Sequence, residues 1–270
     1  MSGLTLRLKA PATERINLDG ITPAKLASLS TYEIAWLNVG IEKNGLAIGD
    51  AFDISGSPSE TLTIEGSGAT LDFVGGGLDG GTIRVVGNVG AYTGRKMSGG
   101  KLEVRGNAGN FLASGMTGGT IHILENAGDN AGGFMPGDRF GMLGGVAVVG
   151  GNIGARAGEK MRRGTIIVKG KTGENTGTRM IGGTIWAEGG IGPLPGLMMR
   201  RGTLIGPSVD SLLPTFVDCG KHDLVIMRIM SRYFKSTLGD LAPKPMPLFV
   251  QKIGGDTAAI GRGEILLPAS

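Results

Sequence analysis

His122, His222 and Cys219 are the only imidazole and thiol groups in the 270 residues. Nucleophilic catalysis needs a base within hydrogen-bond reach of its nucleophile, and a zinc centre takes about four nitrogen or sulfur ligands, so this set supports neither. A single cysteine forms no internal disulfide and reads as a small buried apolar side chain. His122 falls in an outward-facing strand column and His222 beside the start of a helix, where surface or capping roles are commoner than catalysis. Acidic residues show no recurring pair. The expectation is therefore no catalytic residue, no metal and no cofactor bound by this chain.

Two glycine motifs invite a phosphate reading and fail it. Gly170-Lys171-Thr172 lacks the glycine that a phosphate loop needs where Thr165 stands, and no helix is expected to follow. Gly75, Gly77 and Gly80 match a dinucleotide fingerprint only by count, in a chain with 52 glycines.

The charge pattern is more informative. Between Arg156 and Arg201 lie nine basic residues and three acidic ones, Glu159, Glu174 and Glu188. Lys96, Lys160 and Arg179 share one column of the repeat described next, and Arg162 and Arg200 share the next column but one. The expected result is a basic stripe along one edge, which is either a solvated or ion-paired face or an attractor of a polyanionic ligand. A net charge of +4 is too small to indicate nucleic-acid binding.

What positions these residues is a repeat. Met97, Met116, Met142, Met161, Met180 and Met199 are spaced 19, 26, 19, 19 and 19 residues apart. Each unit reads approximately Gly-Gly-Thr-Ile-x-Val-x-Gly-Asn-x-Gly, with an earlier degenerate unit from Thr61 that has Leu78 in the methionine column. Thr82–Val85, Lys101–Val104, Thr120–Ile123, Thr165–Val168 and Thr184–Ala187 read as short strands with alternate residues inward. Three corners and three short strands fit one 19-residue period. Units of this kind bury a core only by stacking, so an all-β fold is expected, a right-handed parallel β-helix of about seven coils. Asn88, Asn107, Asn126 and Asn152 form one line, read as an amide ladder or as residues tolerating left-handed φ. The methionine column reads as core filling.

The third unit is longer by seven residues. Its insertion carries Phe134, Met135, Arg139 and Phe140, with both aromatics expected to be exposed. It is either a partner-docking loop or a self-packed cap over the coil.

Three segments follow. Residues 1–60 are expected to form a small mixed capping module, with a Leu4-Leu6-Leu8 strand, a Thr22-Pro23 helical turn and a capping box at Ser30 and Glu33. Residues 61–206 carry the repeat, and residues 207–270 form a C-terminal helix and docking tail. The helix is expected over Asp223–Leu238, its apolar arc too wide for one face. It lies in a groove between repeat and tail, or one side of it meets another protein. Residues 261–267 then add an edge strand. The N-terminal residues lack a signal-length apolar run and no segment approaches the roughly 20 apolar residues of a membrane span, so a cytoplasmic location without membrane contact is expected.

The repeat, together with Leu18-Asp19-Gly20-Ile21-Thr22-Pro23, Gly49-Asp50-Ala51-Phe52 and Cys219-Gly220, resembles the C-subunit family of formylmethanofuran dehydrogenases. Over nearly its whole length the chain resembles most the bacterial branch of that family, from formyltransferase/hydrolase complexes. The repeat alone also resembles the C-terminal β-helix of the glutamate synthase large subunit. The resemblance implies a non-catalytic assembly subunit in one-carbon metabolism, whose partners are the hydrolase, the formyltransferase and further subunits. That complex transfers a formyl group from formyl-tetrahydromethanopterin to a methanofuran-type carrier and hydrolyses it to formate, with zinc expected on the hydrolase. The carrier bears a glutamate-rich tail, which makes Lys96, Lys160, Arg162, Arg179 and Arg200 candidates for contacting it. A tungsten or molybdenum dehydrogenase complex and a glutamate-synthase-like domain are the alternatives.

Overall fold

A computed structural model describes residues 3–10, 14–40, 45–66 and 70–269. Met1 and Ser2, the start of the N-terminal stretch read above, lie outside them. The described residues are mostly β. In the N-terminal part, β1 (Leu4–Leu8) and β2 (Ile16–Asn17) precede three short helices, α1 (Pro23–Leu26), α2 (Thr31–Ala35) and α3 (Ile48–Ala51). Then come β3 (Phe52–Ser55), β4 (Thr61–Glu65) and β5 (Leu71–Asp72). The repeats supply β6 (Thr82–Val86), β7 (Lys101–Val104), β8 (Thr120–Ile123), β9 (Leu143–Val149), β10 (Arg163–Val168), β11 (Thr184–Ala187) and β12 (Arg201–Ile205). The C-terminal part holds β13 (Val217–Asp223), α4 (Val225–Leu238), β14 (Phe249–Gly255) and β15 (Arg262–Pro268).

Thirteen of these strands form one mixed sheet in the order β13-β14-β15-β12-β11-β10-β9-β8-β7-β6-β4-β1-β3. From β4 to β12 neighbours pair in parallel, and Thr stands beside Thr and Ile beside Ile, as at Thr165↔Thr184 and Ile166↔Ile185. A parallel strand needs its neighbour on each side to saturate its backbone, which is why a single repeat has no stable isolated form.

Each repeat contributes one strand rather than the three expected. The remainder consists of turns tied to the next repeat by backbone hydrogen bonds and by single bridge positions such as Ala108↔Ala127 and Ile153↔Thr172. The reason is φ: Tyr92, Phe111, Arg156 and Asn175 sit at φ of 58° to 63°, and Lys96, Lys160 and Arg179 at 53°, so the corners leave no run of extended residues. Gly109 shows the complementary constraint, because a Cβ there would lie 2.7 Å from the Gly90 backbone of the preceding repeat.

Two inward files per strand make the core. One runs Ile83, Leu102, Ile121, Ala147, Ile166, Ile185 and Leu204, the other Val85, Val104, Ile123, Val149, Val168 and Ala187, all at most 1% exposed. The six repeat methionines are each 0% exposed and fill the space between corner and strand. The asparagines form a ladder: Asn88 Oδ1 accepts from Asn107 N at 2.7 Å, Asn107 Oδ1 from Asn126 N at 3.1 Å, and Asn126 Oδ1 from Asn152 N at 2.8 Å. Asn152 Oδ1 ends it on Lys171 N, 2.8 Å away.

The outward file changes character along the sheet. It reads Arg84, Glu103 and His122 in β6 to β8, then Val148, Ile167, Trp186, Ile205 and Leu266. The apolar half is covered by α4, whose Met227 and Phe234 are buried against it. The helix starts at Val225, later than expected, because Val217–Asp223 is held extended by antiparallel pairing with β14. Hence Cys219 is exposed on an edge strand instead of buried. Residues 262–268 are not an edge strand either: β15 lies between β12 and β14, and β13 is the edge at that end of the sheet. The N-terminal features read from the sequence are present, with Thr22 capping α1 and a Ser30/Glu33 capping box on α2. No described helix is long and apolar enough to cross a membrane.

Candidate functional site

The nine cations of the basic stretch separate into two groups. Arg156 pairs with Glu159 at 3.1 Å, Lys169 with Glu188 at 2.7 Å and Lys171 with Asp210 at 2.7 Å. Among the described residues, Lys160, Arg162, Arg163, Arg179, Arg200 and Arg201 have no carboxylate within ion-pairing distance.

The unpaired group is clustered by the repeat. Lys160 and Arg179 occupy the corner position at φ 53°, where glycine is cheapest and where Gly115 stands one repeat after Lys96. Arg162 and Arg200 occupy the column two positions further on, Arg162 after Lys160 and Arg200 after Met198. Lys160, Arg179 and Arg200 line a cavity of about 600 Å³ with Arg139, Phe140, Ile181, Met198, Ala259 and Ile260. A second cavity of about 380 Å³ is lined by Arg162, Arg163, Arg200 and Arg201 around Ile181 and Ile260. The two share Ile181, Arg200 and Ile260, so they form one trough. Lys96 lines neither; it stands three repeats before Lys160, and its aliphatic stem lies over Gly115 of the next repeat.

The insertion of the third repeat builds one end of this trough. Its rings are half-buried rather than exposed, because each is covered by a cation: Lys160 Nζ lies 3.8 Å from the Phe134 ring centre, and the guanidinium carbons of Arg139 and Arg162 each lie 5.0 Å from that of Phe140. Asp138 holds the loop down through Arg95 at 3.2 Å. Met135 is half-buried and lines neither cavity. The opposite wall is the turn carrying Ala259 and Ile260. It is held by the buried Asp256, whose carboxylate accepts from Met198 N at 2.9 Å and Ala258 N at 2.8 Å. Burial raises the Asp256 pKa, but hydrogen bonds from Thr215, Ala258 and Met198 outweigh it, and the net shift is downward.

Reading the sequence missed the contributions of Arg163, Arg201, Ile181, Met198 and Ile260. Arg163 and Arg201 stand two periods apart, and that spacing was the available signal. The C-terminal turn is brought in by β15 pairing with β12, which no local pattern announces.

The imidazoles and thiol do not converge. His122 is half-buried, not outward in solvent, because the C-terminal end of α4 covers it; Thr237, Leu238 and Leu241 share its cavity. Burial lowers its pKa, opposed by Glu103 and assisted by Lys169. His222 and Cys219 lie on the exposed strand β13, where His222 Nε2 is 2.9 Å from the Cys219 carbonyl. Among the described residues no three His, Cys, Asp or Glu side chains are grouped to hold a metal ion.

No family model matches the chain. It is 48% identical over 86 residues to the C subunit of the formyltransferase/hydrolase complex Fhc of Methylorubrum extorquens, and that alignment spans 32% of this chain and 32% of the relative's length. It is also similar to a chain in the X-ray crystal structure of the formyltransferase/hydrolase complex (FhcABCD) from Methylorubrum extorquens in complex with methylofuran. That likeness has a TM-score of 0.90 and 42% identity, covering 98% of this chain and 100% of that one. With a named C subunit matched in part and a crystallographic chain matched from end to end, this chain belongs to the C-subunit family of formyltransferase/hydrolase complexes.

Proposed function

We propose that the protein is the non-catalytic assembly subunit of a formyltransferase/hydrolase complex, holding hydrolase, formyltransferase and further chains on a rigid frame. The complex would transfer a formyl group from formyl-tetrahydromethanopterin to a methanofuran-type carrier and hydrolyse it to formate. Likeness over 98% of the chain to a complex crystallised with methylofuran carries this reading. A frame role agrees with the dispersal of His122, His222 and Cys219. Tagged protein purified from its own cells should bring down a hydrolase and a formyltransferase, identified by mass. Metal analysis of that complex should find zinc, whereas tungsten or molybdenum would assign it to a dehydrogenase.

The frame itself we read as a right-handed parallel β-helix of about seven coils, with residues 1–60 as cap, 61–206 as repeat and 207–270 as docking tail. In-register parallel strands from β4 to β12 and the asparagine ladder support the stacked coils. The exposed side of α4, with Val225, Ile226, Ile229 and Tyr233, offers an apolar surface to a partner. The insertion with Phe134, Met135, Arg139 and Phe140 is a second docking element.

The basic edge has a role in this scheme as an electrostatic guide for the glutamate-rich tail of the carrier. Lys96, Lys160, Arg162, Arg179 and Arg200 would draw it along the frame between the two active sites. Charge reversal at Lys160, Arg179 and Arg200 should slow formyl handover and alter its salt dependence. An unchanged rate in an intact complex removes the guiding role.

A further inference from the structure

We propose that Tyr32 and Trp36 form an aromatic anchor that docks into an apolar pocket, rimmed by lysine or arginine, on another subunit of the complex. The proposal rests on the subunit reading above and names a contact surface at the end of the sheet opposite β13, away from the trough.

The first observation is exposure. Tyr32 and Trp36 are 72% and 68% exposed, the highest values among the large apolar side chains of the described residues. A lone exposed apolar residue is ordinary, but these two are paired. They stand four positions apart on α2 and its C-cap, and their rings meet edge-on with centroids 6.2 Å apart. Among the described residues neither the Tyr32 hydroxyl nor the Trp36 indole N–H has a hydrogen-bond partner. The other tryptophan of the chain, Trp186, is buried. Two aromatic rings left in water contribute little to folding, whereas tryptophan and tyrosine are the residue types that dominate binding energy once a partner covers them.

The second is rigidity. Ser30 Oγ accepts from Glu33 N at 3.2 Å and the Glu33 carboxylate accepts from Ser30 N at 2.8 Å, which closes the first turn of α2. Ile34 is fully buried beneath the helix, and Ala35 packs so closely on α3 that a Cβ at Gly49 would lie 3.1 Å from the Ala35 Cβ. The rings are therefore carried on a fixed base, and docking them orders little further backbone. Because α3 runs directly into β3, the terminal strand of the sheet, the anchor stands at the end of the frame.

The third is charge, which selects the occupant. Glu33 on α2 and Asp50 on the adjoining α3 are both exposed, and among the described residues neither has a lysine or arginine within ion-pairing distance. Asp53 on β3 adds a third carboxylate, 4.0 Å from Lys9. An aromatic face attracts cations through its quadrupole, and flanking carboxylates strengthen that attraction. Lysine or arginine at the mouth of an apolar pocket complements this surface on both counts. A second copy of the chain does not, since a two-fold contact through the same patch would set Glu33 and Asp50 against their own equivalents.

The test is hydroxyl-radical footprinting of the isolated full-length chain and of the purified complex, with oxidation of Tyr32 and Trp36 read by mass on their peptide. Both residues should oxidise readily in the isolated chain and several-fold more slowly in the complex. Tyr32→Ser with Trp36→Ser should weaken association with partner subunits by at least about tenfold, while the urea midpoint of the isolated chain stays unchanged. Glu33→Gln, which keeps a side chain able to close the capping box, should weaken association less and flatten its salt dependence. Equal oxidation of Trp36 in both samples overturns the proposal, as does unchanged association of the double variant. Insensitivity to Glu33→Gln at low salt overturns the basic rim and with it the choice of occupant. A mass of the isolated chain that rises with concentration while Trp36 becomes protected overturns the proposal too, because a second copy is then the occupant. Failure of the unaltered protein to bring down any partner overturns instead the subunit reading on which the proposal rests.

Discussion

The Trp186 ring stands edge-on to Phe234 of α4, with centroids 6.1 Å apart and planes inclined by 79°. Trp186 belongs to an outward file of the sheet, yet it is 1% exposed. The sheet therefore has two cores. One lies on the inward face and spans all the repeats, and the other lies on the outward face only where Val148, Ile167, Trp186 and Ile205 replace the polar residues of β6 to β8.

Phe234→Ala should lower unfolding stability by about 3 kcal/mol, the usual cost of emptying an aromatic site. The loss should be local, because α4 packs on the outward face alone. Hydrogen exchange should speed up across residues 225–238 while the central strands stay protected. A loss below 1 kcal/mol, or uniform deprotection, would contradict the separation of the two cores.

The tail beyond α4 is fastened electrostatically. Lys169 Nζ, on the outward side of the sheet, contacts Glu188 at 2.7 Å and the Ala242 carbonyl at 2.6 Å, and Glu188 also accepts from Lys244 N at 3.1 Å. The Glu188 side chain is only 7% exposed. Lys169→Met should therefore cost about 3 kcal/mol by stranding that carboxylate, and Glu188→Gln in the same chain should recover much of the loss. Additive losses in the double-mutant cycle would show that the two groups act independently.

His122 makes stability depend on pH near neutrality. Burial beneath the end of α4 lowers its folded pKa, so the unfolded chain takes up a proton first as pH falls. Its contribution is intact above the unfolded value of about 6.5, declines as pH drops from there towards the folded value, and is constant below it. The stability difference between the wild-type protein and His122→Gln should accordingly shrink between pH 8 and pH 5.5 in urea titrations. A difference independent of pH would place the imidazole in solvent.

The repeat was readable from composition because stacking imposes one residue type on each file: methionine over methionine, asparagine over asparagine, isoleucine over isoleucine. The same regularity announced Lys160, Arg179, Arg162 and Arg200 as neighbours. It did not show which cations were already neutralised: Lys169 meets Glu188 one period later in its own column, whereas Lys171 meets Asp210 off the period, beyond the last repeat. It placed His122 correctly in the outward file but not under its cover, and it misplaced Cys219. Both trace to the C-terminal segment, whose helix covers one face and whose strands β13 to β15 extend the sheet through contacts distant in sequence. Three strands per period were expected from length, but left-handed corners at residues such as Arg156 and Asn175 consume the chain that two of them would need.

Asp256 links stability to the shape of the trough. Its carboxylate is 1% exposed and fixes the turn that bears Ile260 by accepting the Met198 and Ala258 amide protons. Its folded pKa lies below the ordinary value, because those hydrogen bonds and that from Thr215 favour the anion more than burial disfavours it. A depressed carboxylate pKa contributes stability that is fully present above the unfolded value of about 3.9 and is lost as pH falls through the folded value. Asp256→Asn should therefore destabilise the protein by about 2 kcal/mol at pH 7, since an amide nitrogen replaces one acceptor and leaves a buried N–H unpaired. The deficit should narrow as pH falls through the folded value, where the wild-type carboxyl itself takes up a proton. A deficit of constant size down to pH 2.5 would mean that the hydrogen bonds hold the turn without any contribution from the charge.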